Sequence, residues 1–168
     1  MVKTFVSYLD RVFRIVLALL MALMVICVTW QIVSRYAMSN PSPWTEELAR
    51  FILIWIGLLG GSYAYHVKMH LGLDLIRTKL SPVALRYHEI FVHLVVIVFS
   101  ATVLVAGGLR IVHMTTELKQ YSAALGVPMS YVYSSLPISG VMLILYALIG
   151  LIEAWHGDIR EPEQVHGE

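Results

Sequence analysis

Seven histidines are the first residues of this chain that could do chemistry. His66 and His70 stand four apart, which sets two imidazoles on one face of a helix wherever that helix persists. His93 lies just inside a later apolar stretch, so a shallow pair with His66 could grip a haem iron between two helices. No third His or Cys completes a zinc set beside them. The plainer reading is a group of histidines at a membrane interface. No cofactor is expected, and haem held by His66, His70 or His93 stays the alternative. The second constellation is Trp44-Thr45-Glu46-Glu47-Leu48-Ala49-Arg50. Glu46 and Arg50 stand at i,i+4, and Glu47 and Arg50 at i,i+3, both within pairing reach on a helix. Arg35 ends the preceding apolar run on the same side and could pair with either carboxylate. Such a group is either an ionic cap at a membrane edge or a docking surface for a soluble partner outside, and the residues favour the cap. No phosphate-cradling glycine loop and no Ser-His-Asp or Cys-His arrangement stands out, so no enzyme is expected.

The elements that carry these residues are four long apolar stretches, about 15–34, 51–67, 90–109 and 131–152, none containing Lys, Arg, Asp or Glu. At about 1.5 Å per residue each is long enough to cross a hydrocarbon core of roughly 30 Å. The expectation is an all-α integral membrane protein with four transmembrane helices plus amphipathic interfacial helices. The composition agrees, with 58% hydrophobic and only 14% charged residues, where a soluble domain carries about 25% charged. The spans leave no room for a separate soluble domain. A net charge of +1 gives no nucleic-acid signal. The lone Cys27 forbids an intramolecular disulfide and excludes a four-helix thiol oxidase, which needs cysteine pairs. The first stretch is too long for a signal-peptide core and no A-x-A site follows it, so it reads as a retained anchor.

Lys and Arg at the span ends orient the chain. Lys3, Arg11, Arg14, Lys68, Arg77, Lys79, Arg86 and Arg160 share one side, against Arg35, Arg50, Arg110 and Lys119 on the other. Both termini are therefore expected in the cytoplasm.

Residues 1–14 space their apolar positions as an amphipathic helix, either lying in the headgroup layer or extending the first span. Ser42 can cap the second helix and Pro43 suits its first position. Gly57 and Gly61 form a G-x-x-x-G spacing that lets another helix approach closely. Leu73, Ile76, Leu80 and Val83 repeat at three-four spacing opposite Asp74, Arg77 and Lys79, suggesting a short surface helix. A further helix can begin near Pro82 and run on through Arg110 towards Lys119. Gly126 and Pro128 mark a stop and a new start, and Pro137 should kink the fourth span. Residues 1–155 read as one four-helix membrane domain, followed by an acidic cytoplasmic tail at 156–168 that is expected to lack fixed structure.

Arg35-Tyr36, the Trp44–Arg50 string, Trp55, Gly57, and then His70 with Asp74 together resemble the small membrane subunit of tripartite ATP-independent periplasmic (TRAP) transporters, the DctQ-like family. Ala124-Leu125-Gly126-Val127-Pro128, Tyr133 and Pro137 resemble that family's last span, and the likeness covers about residues 30–140. The chain departs from the pattern at His66, where many relatives carry Arg. The resemblance implies four spans in the bacterial inner membrane and contact with membrane lipid. It also implies a large multi-span, DctM-like permease partner. A periplasmic substrate-binding protein would deliver an organic acid, such as a C4-dicarboxylate or a sialic acid, for sodium-driven uptake. Arg35, Trp44, Glu46, Glu47, Arg50, Gly57, Gly61, His70 and Asp74 are the interface candidates.

Overall fold

A computed structural model describes residues 2–37, 42–67 and 82–156 of the chain. Its elements are α1 (Val2–Ala37), α2 (Pro43–His66), α3 (Pro82–Phe99), a π-helical segment π1 (Ser100–Gly107), α4 (Gly108–Glu117), α5 (Met129–Tyr133) and α6 (Ser135–His156). Together they form four rods long and apolar enough to cross a membrane. α1 is one unbroken helix of 36 residues, about 54 Å long at 1.5 Å per residue. Residues from Val2 onward thus extend the first span. The surface helix expected around Leu73 and Ile76 lies outside the described residues, as does the acidic tail from 157 onward.

The rods run antiparallel in sequence order. Cys27 of α1 donates to the Thr45 carbonyl (3.1 Å) at the start of α2, and Asp10 near the start of α1 meets His66 at the end of α2. α6 is the hub, packing against α2, α3 and π1. Only 6% of the most apolar stretch of α1 is buried, against 28% for the rod containing α6, so α1 is the rod least enclosed by the bundle.

Small residues build the core. Thr45, Ser100, Ser135 and Ser139 are almost completely buried, with Ile52, Leu59, Val132, Tyr146, Ala147 and Ala154 around them. Their size allows close backbone approach. Ser62 shares its hydroxyl between the Leu58 carbonyl (3.0 Å) of its own helix and the Ser139 carbonyl (3.1 Å) of α6. The tightest approach is at Gly140, where an added Cβ would lie 2.7 Å from Leu104 Cβ and 3.2 Å from Val105 N of π1. Gly108 faces Leu136 and Pro137 in the same way, at 2.9 Å. The third rod therefore lies against α6 where glycine stands on one side or the other, and its turns widen to π geometry along that contact.

Punctuation falls where local chemistry puts it. Pro137 has no N–H for the carbonyl four residues back, which is that of Tyr133, and α5 ends at Tyr133. Gly126 has a φ of +65°, a turn conformation open to glycine. At the start of α2, however, the Ser42 hydroxyl makes no capping bond and lies buried without a partner among the described residues. Thr45 instead donates its hydroxyl back to the Ser42 carbonyl (2.8 Å). Pro43 explains the difference in part, since the first backbone N–H of the helix is already missing.

Candidate functional site

One end of the bundle carries the connection between α4 and α5, together with the start of α2. The connection folds on itself. Ser122 N–H donates to the Val127 carbonyl (2.9 Å), Gly126 N–H to the Ser122 carbonyl (3.1 Å) and Met129 N–H to the Gln120 carbonyl (2.9 Å). This leaves three successive N–H groups, those of Ala123, Ala124 and Leu125, aimed at α2. The Glu47 carboxylate accepts all three, at 3.2, 2.9 and 3.0 Å. A carboxylate has acceptor sites only, so converging donors suit Glu47 better than an amide. Glu47 is therefore a cap, but of a segment more than seventy residues away rather than of its own helix.

With Glu47 committed to the connection, Glu46 and Arg50 form an i,i+4 pair at 3.2 Å, each about two-thirds exposed. Such a solvated pair contributes about 0.3–0.5 kcal/mol at most, so it contributes little to the fold. Arg35 and Trp44 are exposed on this end too. Among the described residues Arg35 pairs with neither carboxylate. The fold thus separates the Trp44–Arg50 string into a structural residue, Glu47, and an exposed set of Trp44, Glu46 and Arg50.

Gly57 and Gly61 lie midway along α2 on an open face, where an added Cβ would meet nothing within 4 Å. Gly60, between them, faces Leu17 of α1 instead. The G-x-x-x-G spacing packs against nothing among the described residues. His70 and Asp74 lie outside the described residues.

The opposite end gathers ionisable groups from all four rods. The Asp10 carboxylate accepts from the Tyr146 hydroxyl (3.0 Å) and from His66 Nε2 (3.1 Å). The His66 ring stacks on Tyr146 with centroids 4.2 Å apart, and Phe13 meets Tyr146 edge-on. His66 thus reaches a carboxylate. A second cluster joins Tyr65 to His93 Nδ1, with Glu89 buried on the same helix as His93. Gly150 of α6 leaves room for the His93 ring, which would collide with any Cβ there. His66 and His93 thus each bind a protein partner. No set of three His, Cys, Asp or Glu among the described residues could hold a metal ion.

Asp10, Tyr146 and the 123–125 amides escape a reading of the sequence because their partners are remote along the chain. The one available signal was Asp10 itself, a lone acid on an arm otherwise basic and apolar.

A family model described as "Tripartite ATP-independent periplasmic transporters, DctQ component" matches residues 24–157. The sialic acid TRAP transporter small permease protein SiaQ of Vibrio cholerae is 27% identical over 140 residues, covering 83% of this chain and 79% of that one. A putative TRAP transporter small permease protein of Haemophilus influenzae is 20% identical over 152 residues, covering 90% and 92%. The sialic acid TRAP transporter permease protein SiaT of Haemophilus influenzae is 28% identical over 115 residues, which cover 68% of this chain but only 18% of that protein.

Proposed function

This chain belongs to the DctQ family of tripartite ATP-independent periplasmic transporter components, and we propose that it braces a large, DctM-like permease during sodium-driven uptake of an organic acid. The observation that carries this reading is the match to SiaT, where two-thirds of this chain corresponds to less than a fifth of a longer permease. The remainder of that protein is the kind of partner this chain would need. Physical argument agrees. Alternating access in secondary transporters uses repeated units and broken helices at the membrane midplane. Four rods with one proline break, and a core in which the Thr45, Ser62, Ser135 and Ser139 hydroxyls are held to neighbouring carbonyls, offer no such pathway.

In this reading residues 1–155 form the membrane unit, with both termini and the acidic tail on the cytoplasmic side of the bacterial inner membrane. The open Gly57–Gly61 face of α2 and the outer face of α1 receive the permease, and His70 and Asp74 add contacts near the cytoplasmic surface. Arg35, Trp44, Glu46 and Arg50 face the periplasm, where a substrate-binding protein bearing a sialic acid or a C4-dicarboxylate would dock. The names of SiaQ and SiaT favour sialic acid.

Reconstitution tests the whole reading. Vesicles holding this chain and its permease should take up substrate only with binding protein and an inward sodium gradient, and vesicles holding this chain alone should take up none. Transport by the chain alone would overturn the bracing role. Gly57→Leu or Gly61→Leu should lower the yield of co-purified permease. A wild-type yield would remove that face from the contact.

A further inference from the structure

A groove of about 340 Å³ opens between α3 and α6, lined by Ile90, Leu94, Leu151, Ile152 and Trp155. Pockets that hold discrete ligands span about 300–1,000 Å³, so this one is large enough for a single occupant. Its lining is wholly apolar. Arg86 stands one turn before Ile90 and two before Leu94 on α3, just outside the apolar stretch of the helix. The Arg86 guanidinium donates to the Trp155 carbonyl and lies 5.8 Å from the centroid of the Trp155 ring. One carbonyl uses one of the five N–H donors an arginine carries. No carboxylate among the described residues forms an ion pair with Arg86. The groove therefore runs from a cation without a carboxylate partner among the described residues, beside an amphipathic indole, into hydrocarbon-like walls. From Arg86 to Leu94 it spans roughly 12 Å at 1.5 Å per residue.

We propose that this groove is a binding site for one anionic phospholipid, its phosphate at Arg86 and one acyl chain along Ile90, Leu94 and Leu151. The charge pattern selects this occupant over a neighbouring helix. A helix filling the groove would have to bring a carboxylate to the same point, whereas an anionic lipid joins the two chemistries in one molecule. Trp155 suits the boundary because its ring packs on acyl carbon while its indole N–H stays at headgroup level. Basic pockets between transmembrane helices are where anionic headgroups settle.

Native mass spectrometry of the full chain in detergent tests the site, with phosphatidylglycerol, phosphatidylcholine of the same acyl chains, and inorganic phosphate as probes. One phosphatidylglycerol per chain should be retained at about fivefold lower concentration than phosphatidylcholine, the effect of one cation near a membrane surface. Arg86→Gln should erase that preference, Arg86→Lys should keep it, and Leu94→Trp should fill the groove and release both lipids. Protection of the Cys27 thiol reports that each variant is folded, and if Arg86→Gln fails that check the other two variants carry the test. Equal retention of the two lipids overturns the proposal. So does an unchanged preference in Arg86→Gln, or unchanged retention in Leu94→Trp. Competition by inorganic phosphate as strong as that by phosphatidylglycerol would make this an anion site without a lipid, and loss of the lipid on binding the permease would give the groove to that partner.

Discussion

Gly140→Ala and Gly57→Ala make the same chemical change on two buried-span helices, and they should move stability in opposite directions. At Gly140 the new Cβ would lie 2.7 Å from Leu104 Cβ, where ordinary contact begins at 3.4 Å. Leu104 Cβ is the first atom of its side chain, so no rotamer relieves the clash, and π1 must retreat by about 0.7 Å. Overpacking of this kind costs about 1–3 kcal/mol, against a return of about 0.5–1 kcal/mol for replacing a helical glycine by alanine. At Gly57 nothing lies within 4 Å, so only the return remains. The difference between the variants is thus the packing term alone. For a chain of this size each kcal/mol moves the unfolding temperature by about 2–4 °C, which places Gly140→Ala roughly 2–12 °C below Gly57→Ala. The assay is built in. Cys27 is the only cysteine and is buried, so a thiol-reactive dye reports unfolding in detergent with no added label. Equal unfolding temperatures would refute the claim that α6 and π1 meet across Gly140.

Two other perturbations probe the two ends of the bundle. Glu47→Gln removes one acceptor oxygen from the amides of Ala123, Ala124 and Leu125, and their hydrogen exchange should accelerate while that of α3 stays unchanged; protected amides would show that the connection holds itself. Asp10→Ala strips partners from Tyr146 and His66, at about 1–3 kcal/mol for each buried polar group left unpaired. It should lower the unfolding temperature more than Tyr146→Phe does, and equality with the parent chain in both variants would refute a stabilising role for the Asp10 contacts with Tyr146 and His66.

The sequence announced the rods because hydropathy is local. Each apolar stretch falls within the length that a membrane span needs on its own residues, and Gly126, Pro128 and Pro137 act within a turn of where they stand. The site was harder to read because its contacts are long-range. Glu47 looked like a partner for Arg50 three residues on, since helical spacing is visible and the amides at 123–125 are not. The glycines misled in the same way. Gly57 and Gly61 carry a recognised spacing yet touch nothing among the described residues, while Gly108, Gly140 and Gly150, which carry no such spacing, make the close approaches. Which glycine is needed depends on what faces it, and that is a property of the packed bundle. Asp10, which lies 56 residues before His66, was not legible as its partner.

The position of α6 as hub has a consequence for biogenesis. It is the last of the four spans to leave the ribosome, yet α3 and π1 find their main packing surface on it. The α1–α2 hairpin can close as soon as it is inserted, whereas the third rod, joined to α2 through Tyr65 and His93, lacks its main packing surface until its neighbour arrives. A nascent chain arrested after Glu117 would therefore hold one finished hairpin and one loosely attached rod, and would be the form most exposed to membrane quality control.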